Sequence, residues 1–216
     1  MRQTYDKLNP NNAFIWRIVH RDNIGWILDN GLHCGNSATT YDKWVHIGNR
    51  DLTDRRATHQ VPVAPNGSLN DYVPFYFTPF SPMMLNIKSG RQGVTKRSNE
   101  EIVILVSNLH ALSKSGVDFV FTDSHAYSNY SEFFTDLNDL GKIDWPLLQS
   151  RNFSRDPNDL RKMERYQAEA LVYQHLPVSA LQGMVCYTED MKKQLDEQLN
   201  QRGMSLDVHA MRGWYF

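Results

Sequence analysis

The chain has 216 residues, of which 41% are hydrophobic and 22% are charged, an ordinary composition for a globular protein of one domain. Its net charge of −1 excludes a protein that coats nucleic acid by bulk charge, and it contains no run of about eighteen apolar residues that would span a membrane. The polar residues 1–12 lack the apolar core of a secretory signal and two cysteines cannot form a disulfide framework, so we expect a cytoplasmic location.

The N-terminal part of the chain predicts a strand, a helix and a long connection. Residues 14–19 (FIWRIV) are apolar and rich in strand-forming side chains. Residues 22–32 predict a short helix, because Asp22 can cap its start and Gly31 can end it. Residues 36–70 are rich in Gly, Pro, Asn and Arg and predict a mostly irregular segment, which inside a compact domain is usually functional or disordered.

The middle of the chain predicts three strands and a second long segment. Residues 72–78 (YVPFYFT) form the first of these strands, in which Pro74 favours an edge or an irregular position. Residues 102–107 and 118–122 are apolar runs that predict the other two. Residues 123–164 follow, with aromatic side chains distributed among many polar ones.

The C-terminal part predicts a strand over residues 183–188, a helix over residues 189–201 and a last strand at residues 214–216. The helix has acidic residues early and Arg202 at its end, the charge order that its dipole favours. Because strands and helices do not alternate regularly, an α+β fold with a mainly antiparallel sheet is favoured over a doubly wound fold.

Residues 165–173 (RYQAEALVY) contain the candidate catalytic carboxylate, Glu169, and fit two secondary structures. As a helix, the segment would start near Asp156-Pro157 and place Glu169 on a surface. As a strand, Glu169 would share one face with Gln167 and Leu171 and would point into any cleft that this face lines. The spacing alone does not distinguish the two.

Binding features are weaker. The eight histidines show no metal-ligand spacing, and no Gly-rich phosphate loop or nucleophile elbow is present, so a metal site is not expected. Residues 72–84 pack aromatics around three prolines, which fits either a core strand with a rigid exit turn or an aromatic wall for a nicotinamide or adenine ring. Three local clusters of basic residues are compatible with a phosphate-binding surface. They are Arg50, Arg55 and Arg56; Lys88, Arg91, Lys96 and Arg97; and Arg151, Arg155, Arg161, Lys162 and Arg165.

Several short motifs occur in a fixed order: residues 16–24 (WRIVHRDNI), Arg55-Arg56 ahead of Val61-Pro62, residues 71–77 (DYVPFYF) with Ser81-Pro82-Met83, residues 119–123 (FVFTD), Gln167-Ala168-Glu169, and Trp214-Tyr215. In this order they resemble the motifs of the DarT-type DNA ADP-ribosyltransferases, the toxin half of the DarT–DarG toxin–antitoxin pair. Each motif is weak alone, but the ordered set is specific. One departure is Arg17-Ile18-Val19, where the family usually has a His, an apolar residue and a Thr; His20 matches the family histidine that follows.

The resemblance implies one ADP-ribosyltransferase domain over residues 1–216, with the split antiparallel sheet of the poly-ADP-ribose polymerases and NAD in its cleft. It implies metal-independent transfer of ADP-ribose from NAD onto a base, usually thymidine, in single-stranded DNA within a short sequence motif. Arg55-Arg56 and Gln167-Ala168-Glu169 are more similar to the motifs of the thymidine-modifying branch of the family. The resemblance therefore favours thymidine over guanosine as the modified base. A macrodomain antitoxin as partner is implied by the family alone, and we expect a monomer.

Chemistry suggests the roles of the matched residues. Glu169 would stabilise the oxocarbenium-like state of nicotinamide–ribose cleavage and Tyr76 would stack on nicotinamide. Arg56 would approach the NAD phosphates and stabilise the thymine N3 anion, because a guanidinium is a poor proton acceptor. Contacts to NAD are expected from Arg17, Ile18, Val19, His20, Asn23, Trp26, Arg56 and Tyr76.

The segment 123–164 lies where the family has its target-recognition loop. Aromatic side chains suit base stacking and arginines suit phosphates, the combination that single-stranded DNA requires. The expected DNA contacts are His125, Arg151, Arg155, Arg165, Met84 and Arg91.

Two other functions remain open at this point. A nuclease-type toxin could use His20 or His125 as an acid or base, although no paired histidines or metal carboxylates are evident. A catalytically inactive module that binds DNA or NAD is the other, and an Ala, Gln or Ser at position 169 would have favoured it.

Overall fold

The structure is a computed structural model that describes residues 5–216, so part of the N-terminal segment 1–12 lies outside the described residues. Within this range one sheet has eight strands in the order β10-β9-β4-β1-β3-β7-β5-β6, and β2 pairs with β8. The strands are β1 Phe14–His20, β2 Leu32–His33, β3 Tyr72–Tyr76, β4 Ile102–Asn108, β5 Phe119–Thr122, β6 Phe133–Phe134, β7 Glu169–Tyr173, β8 His175–Leu176, β9 Gly183–Cys186 and β10 Asp207–Ala210. The helices are α1 Ile24–Asn30, α2 Arg50–Arg56, α3 Pro82–Ser89, α4 Leu109–Lys114, α5 Trp145–Ser150, α6 Lys162–Arg165 and α7 Glu189–Gln201.

The strand pairings confirm the α+β class with a mainly antiparallel sheet. β1 and β4 pair antiparallel from Phe14↔Asn108 to His20↔Ile102, whereas β9 and β10 are parallel. The apolar runs that predicted β1 and β4 bury side chains on both faces, as a central strand requires. Helix α7 has the predicted bounds, since Thr188 caps it and Met191, Leu195 and Leu199 form its buried stripe.

The sheet is split between β1 and β3. Strand β3 pairs with β7 over five residues, from Tyr72↔Tyr173 to Tyr76↔Glu169, but with β1 only at Trp16↔Tyr76. The Pro74 carbonyl accepts a hydrogen bond from the Arg17 side chain instead of a β1 amide. Pro74 therefore occupies an internal strand at the point where the ladder is open, so its missing N–H disrupts no strand pairing.

Two local predictions differ from the structure. Asp22 does not cap α1, because it lies inside the 3-10 turn Arg21–Asn23 that precedes the helix. The residues predicted as a last strand at 214–216 follow or end the 3-10 turn Arg212–Trp214, and the last strand is β10. Residues 36–70 are mostly irregular, as predicted, although Asn49 caps helix α2 there.

The end of α1 at Gly31 is confirmed and has a steric cause. Gly31 has φ +79°, and a Cβ there would lie 2.4 Å from Nε2 of His175 and 2.6 Å from the carbonyl oxygen of Leu176. Only glycine fits this close approach to β8. Within residues 5–216, no helix has both the length and the apolar character needed to cross a membrane.

Candidate active site

Glu169 is the first residue of β7, and its carboxylate is only 2% exposed. Arg56 donates from Nη1 to both carboxylate oxygens, at 3.3 Å to Oε1 and 3.0 Å to Oε2. The backbone N–H of Ala126 donates to Oε1 at 3.0 Å. A buried carboxylate needs such donors, and here they come from α2 and from the loop after β5.

The loop after β5 is fixed by its own hydrogen bonds. The Thr122 hydroxyl accepts from the Glu169 backbone N–H at 3.2 Å and donates to the Ser124 carbonyl at 2.6 Å. The Ser131 hydroxyl donates to the His125 carbonyl at 2.6 Å, and the His125 N–H donates to the Glu164 carbonyl at 2.9 Å. These bonds place the His125 ring with Nε2 3.9 Å from Oε1 of Glu169.

Tyr76 and Arg17 complete the ring of groups around the carboxylate. Tyr76 lies directly opposite Glu169 in the β3–β7 ladder, so the two side chains share a face. Burial, and then the Glu169 charge, raise the pKa of Tyr76 well above its usual value, so the phenol stays protonated. Arg17 donates from Nη1 to the Pro74 carbonyl at 2.7 Å, across the split in the sheet.

His20 lies at the end of β1 with both ring nitrogens engaged by the protein. Nδ1 accepts from the Asp22 backbone N–H at 3.2 Å, which leaves the ring proton on Nε2, 3.4 Å from Oε1 of Glu101. His20, Ile18 and Val19 line the same cleft as Glu169.

Asn23 also borders the cleft, and its amide makes two hydrogen bonds to Val45. Nδ2 donates to the Val45 carbonyl at 2.9 Å, and Oδ1 accepts from the Val45 N–H at 2.9 Å. These bonds fix the connection between β2 and α2 over the cleft. The direct NAD contact expected from Asn23 stays a prediction.

The cleft has a volume of about 390 Å³ and combines this carboxylate centre with an aromatic wall. Trp26 stacks on Tyr41 with 5.9 Å between ring centroids and meets Trp44 edge-on at 5.7 Å. Trp26 was predicted from the sequence, whereas Tyr41 and Trp44 were not, since the irregular segment 36–70 has no periodicity that would place their side chains.

A second missed pair lies beside Arg56. The His59 and Tyr127 rings are 5.0 Å apart. Burial, followed by the charges of Arg56 and His125, lowers the pKa of His59, so its ring is neutral at neutral pH. The aromatic residues of the predicted target-recognition loop could have pointed to Tyr127 as a site residue. Nothing in the sequence indicated that Tyr127 would contact His59.

Of the residues predicted to contact DNA, only His125 lines the cleft. Met84 does not agree with the prediction, because it faces the core on α3 with 1% exposure, whereas its neighbour Met83 borders the cleft. Arg165 is likewise committed elsewhere: Nη1 and Nη2 bind Asp159 at 2.9 and 2.7 Å, and Nε binds Asp144 at 3.1 Å.

The other three arginines predicted to contact DNA also lie outside the cleft lining. Arg151 ends α5 in the left-handed region, and its Cζ lies 3.5 Å from the Phe80 ring centroid. Its guanidinium face is therefore occupied by an intramolecular contact. Arg91 and Arg155 are exposed, as a phosphate-binding side chain would be.

The cleft has the properties of a site for a dinucleotide. Two buried guanidinium nitrogens, Nη2 of Arg56 and Nε of Arg17, have no hydrogen-bond partner among the described residues 5–216 and can donate to a ligand. The aromatic faces suit flat rings and the two cations suit phosphates, while Glu169 can stabilise positive charge on a sugar. In the described part of the chain, no cluster of three or more His, Cys, Asp or Glu side chains could hold a metal.

Comparison with known proteins gives consistent matches over almost the whole chain. A family model described as DarT, ssDNA thymidine ADP-ribosyltransferase, matches residues 16–216. A DNA ADP-ribosyl transferase of Escherichia coli O127:H6 (strain E2348/69 / EPEC) is 60% identical over 209 residues, 97% of this chain and 96% of that protein. The structure of Thermus sp. 2.9 DarT in complex with ADP-ribosylated ssDNA is similar with a TM-score of 0.88 and 31% identity, over 96% of this chain and 98% of that one. The structure of the same DarT in complex with NAD+ gives 0.82 and 31%, over 96% and 100%.

Proposed function

Since this chain belongs to the DarT family and is an NAD-dependent DNA ADP-ribosyltransferase, we propose that Glu169 is the carboxylate on which the transfer to thymidine in single-stranded DNA depends. The observation that supports this most directly is the burial of Glu169 at the split of the sheet, held by Arg56 and by the loop that carries His125.

The transfer breaks the bond between the ribose C1′ and the nicotinamide nitrogen and forms a bond from C1′ to thymine N3. Positive charge develops on the sugar as nicotinamide leaves. Glu169 offers a fixed negative charge that need not reorganise as this charge develops, and Oε2 has lone pairs free for a ribose hydroxyl. Tyr76, on the same sheet face, provides a ring against which nicotinamide can stack.

Arg56 has two tasks in this proposal. Its Nη1 orients the Glu169 carboxylate, and its Nη2, which has no partner among residues 5–216, would donate to the substrates. A guanidinium stays protonated and stabilises the thymine N3 anion by charge and hydrogen bonding. The N3 proton then needs another acceptor, and the His125 imidazole, 3.9 Å from Oε1 of Glu169, is suited to that task.

The segment 123–164 would bind the DNA strand around the target base within a short sequence motif. Tyr130 is 70% exposed and Leu160 is 86% exposed, an unusual degree for large apolar side chains. The Arg161 guanidinium carbon lies 5.2 Å from the Tyr130 ring centroid, and Arg155 is exposed nearby in sequence. Stacking surfaces combined with cations are what single strands require. Arg91 is a further candidate for phosphate contact.

As a member of this family the protein would act as a monomeric toxin, restrained by a macrodomain antitoxin that removes the modification. That partner follows from the family and from the harm that unrestrained DNA modification would cause.

The test uses NAD labelled in its ADP-ribose part and an oligonucleotide with one thymidine. We expect label on the oligonucleotide with the wild type and loss of at least about 1,000-fold with Glu169→Gln, which keeps the shape but removes the charge. Glu197→Gln on α7, which is exposed, is the matched control. Undiminished transfer by Glu169→Gln refutes the proposed role. Strand cleavage without NAD would indicate a nuclease, and binding without either reaction an inactive module.

A further inference from the structure

Arg17 has a guanidinium that the protein satisfies only in part. Its side chain projects from β1 into the split of the sheet, where Nη1 donates to the Pro74 carbonyl at 2.7 Å. Nε is buried and has no hydrogen-bond partner in the part of the chain that the structure describes. A buried N–H that is left unpaired costs stability, so its presence in a cleft points to a role toward a ligand.

The charges around Glu169 do not balance. The Arg56 guanidinium already pairs with the carboxylate at 3.0 Å, and Arg17 adds a second positive charge that interacts with Arg56, Glu169 and Tyr76. Burial, opposed by Tyr76 and Glu169 and reinforced by Arg56, lowers the pKa of Arg17 to about 10. Arg17 therefore remains charged at neutral pH, and the centre of the cleft carries an excess of one positive charge.

The position of Arg17 relates this excess charge to the leaving group. In the proposed function, C1′ of the ribose lies at Glu169, and the ring bonded to C1′ lies against Tyr76, the ladder partner of Glu169. Arg17, Tyr76 and Glu169 line the same cleft, and the Arg17 charge interacts with both of the others. The charge of Arg17 is thus close to the nicotinamide ring, which is a cation in NAD+ and a neutral molecule once it has left.

We propose that Arg17 makes the cleft selective against a positively charged nicotinamide ring and thereby favours its departure. This inference rests on the proposed function. When the C1′–N1 bond breaks, its electron pair stays on N1 and the ring loses its positive charge, which removes the repulsion with Arg17. The charge that appears on the sugar is stabilised by Glu169, and the bond to thymine N3, with loss of the N3 proton, completes the transfer. Two like charges in a partly buried site repel strongly enough to change a rate or an affinity by roughly tenfold or more.

The test compares the affinities for NAD+ and NADH, which share the pyrophosphate and adenosine and differ in ring charge, by calorimetry without DNA. Arg17→Met removes both charge and hydrogen bond, Arg17→Gln keeps a donor for the Pro74 carbonyl, and Arg17→Lys keeps the charge. We expect Met and Gln to shift the affinity ratio toward NAD+ by about tenfold and to slow single-turnover nicotinamide release by a similar factor. Arg17→Lys should keep a ratio of NAD+ and NADH affinities close to that of the wild type.

Two outcomes would overturn the inference. If Arg17→Met and Arg17→Gln weaken the binding of NAD+, NADH and ADP-ribose by the same factor, Arg17 binds the pyrophosphate or only supports the strands. If Arg17→Gln keeps the wild-type ratio of NAD+ and NADH affinities, the hydrogen bond to Pro74 and not the charge determines that ratio. The affinity ratio is measured without turnover, so failure of the proposed function, seen as absent label transfer by the wild type, is distinguished from failure of this inference. Thermal unfolding of each variant, with Gln as the variant closest to the native contacts, identifies any loss of folding.

Discussion

Glu169 shows how one side chain is positioned by distant parts of the chain. Arg56 is 113 residues away and Ala126 is 43 residues away, yet both donate to the same carboxylate. Each of these donors arrives on a separate element, so the geometry of the site depends on the packing of α2 and of the loop after β5 against β7. The site is therefore sensitive to the shape of a partner side chain as well as to its charge.

Arg56→Lys tests that sensitivity. Lysine keeps the charge but has a single nitrogen, so it cannot bind the Glu169 oxygens as Nη1 does and also present a second donor like Nη2 to the substrates. We expect the rate of label transfer to fall roughly 100-fold, the usual effect of losing one well-placed donor. Arg55→Lys is the control, since Arg55 is the exposed neighbour on α2. Equal rates for the two variants would contradict the role given to Arg56.

Tyr130 provides the second test at this scale. Its ring is exposed and within reach of Arg161, so we expect Tyr130→Ala to weaken binding of a single-stranded oligonucleotide by roughly 1–3 kcal/mol, the range for one stacked base. Fluorescence anisotropy with a labelled oligonucleotide measures this. Met211→Ala, at another exposed apolar side chain, should leave the affinity unchanged. A loss of the same size in both variants would speak against stacking on Tyr130.

The sequence indicated Glu169, Arg56, Tyr76 and the end of β1 as site residues because the ordered set of motifs is specific, although each motif is weak alone. The motifs could not separate Met83 from Met84. Adjacent residues on a helix point about 100° apart, and which of them faces the cleft depends on how α3 packs against the rest of the molecule. Likewise, the sequence shows that Arg165 is a cation but not that Asp144 and Asp159 are already bound to it.

At the scale of elements, the turn before β4 supports the cleft from outside. Glu101 accepts from the Ser98 N–H at 2.8 Å, from Arg97 at 3.1 Å, and lies 3.4 Å from the His20 ring. The Ser98 bond, followed by those of Arg97 and His20, overcomes the effect of partial burial and lowers the pKa of Glu101 to about 2. This carboxylate therefore joins the start of β4 to the end of β1.

Glu101→Gln should consequently show a defined pH dependence. A carboxyl whose folded pKa lies below its unfolded value of about 4.5 stabilises the fold fully above that value and loses the effect as pH falls toward about 2. We expect the variant to be less stable than the wild type by roughly 1–2 kcal/mol at pH 7, a modest value because the side chain is 28% exposed. The difference should shrink between pH 4.5 and pH 2 in urea denaturation. Glu100→Gln, an exposed change on the same turn, should show no such trend, and a constant difference for Glu101→Gln would rule out this explanation.

The elements themselves were predictable to different degrees. α7, β1 and β4 have clear periodicity and were placed within a residue or so. Segment 165–173 fitted both helix and strand because it contains the change from one to the other: α6 ends at Arg165 and β7 starts at Glu169. The terminal aromatics resembled a strand, but Tyr215 instead donates its hydroxyl to the carbonyls of Ile102 and Val185. Tertiary packing decided both cases.

At the scale of the whole molecule, the split of the sheet determines where chemistry can occur. The two halves meet between β1 and β3 at one residue pair and at the Arg17–Pro74 contact, which leaves the adjacent backbone and side chains available to a ligand. The family resemblance predicted a split sheet, and Pro74 was a visible sign of an open ladder. The aromatic wall on the far side of the cleft was not predictable, because Tyr41 and Trp44 lie in an irregular segment positioned by the Asn23–Val45 bonds.

The binding of both Glu169 oxygens has a consequence for cellular metabolism. A carboxylate whose lone pairs are directed at Arg56, at the Ala126 N–H and, in the proposed function, at a ribose hydroxyl is poorly arranged to activate a water molecule, and a missing general base typically slows such a step at least about 100-fold. We expect nicotinamide release from NAD to be slower by about that factor with a thymidine-free oligonucleotide than with a thymidine-containing one, as measured by chromatography. Similar rates would show that water competes freely. If the difference is found, the enzyme draws on the NAD pool of a cell only as fast as accessible DNA supplies acceptor bases.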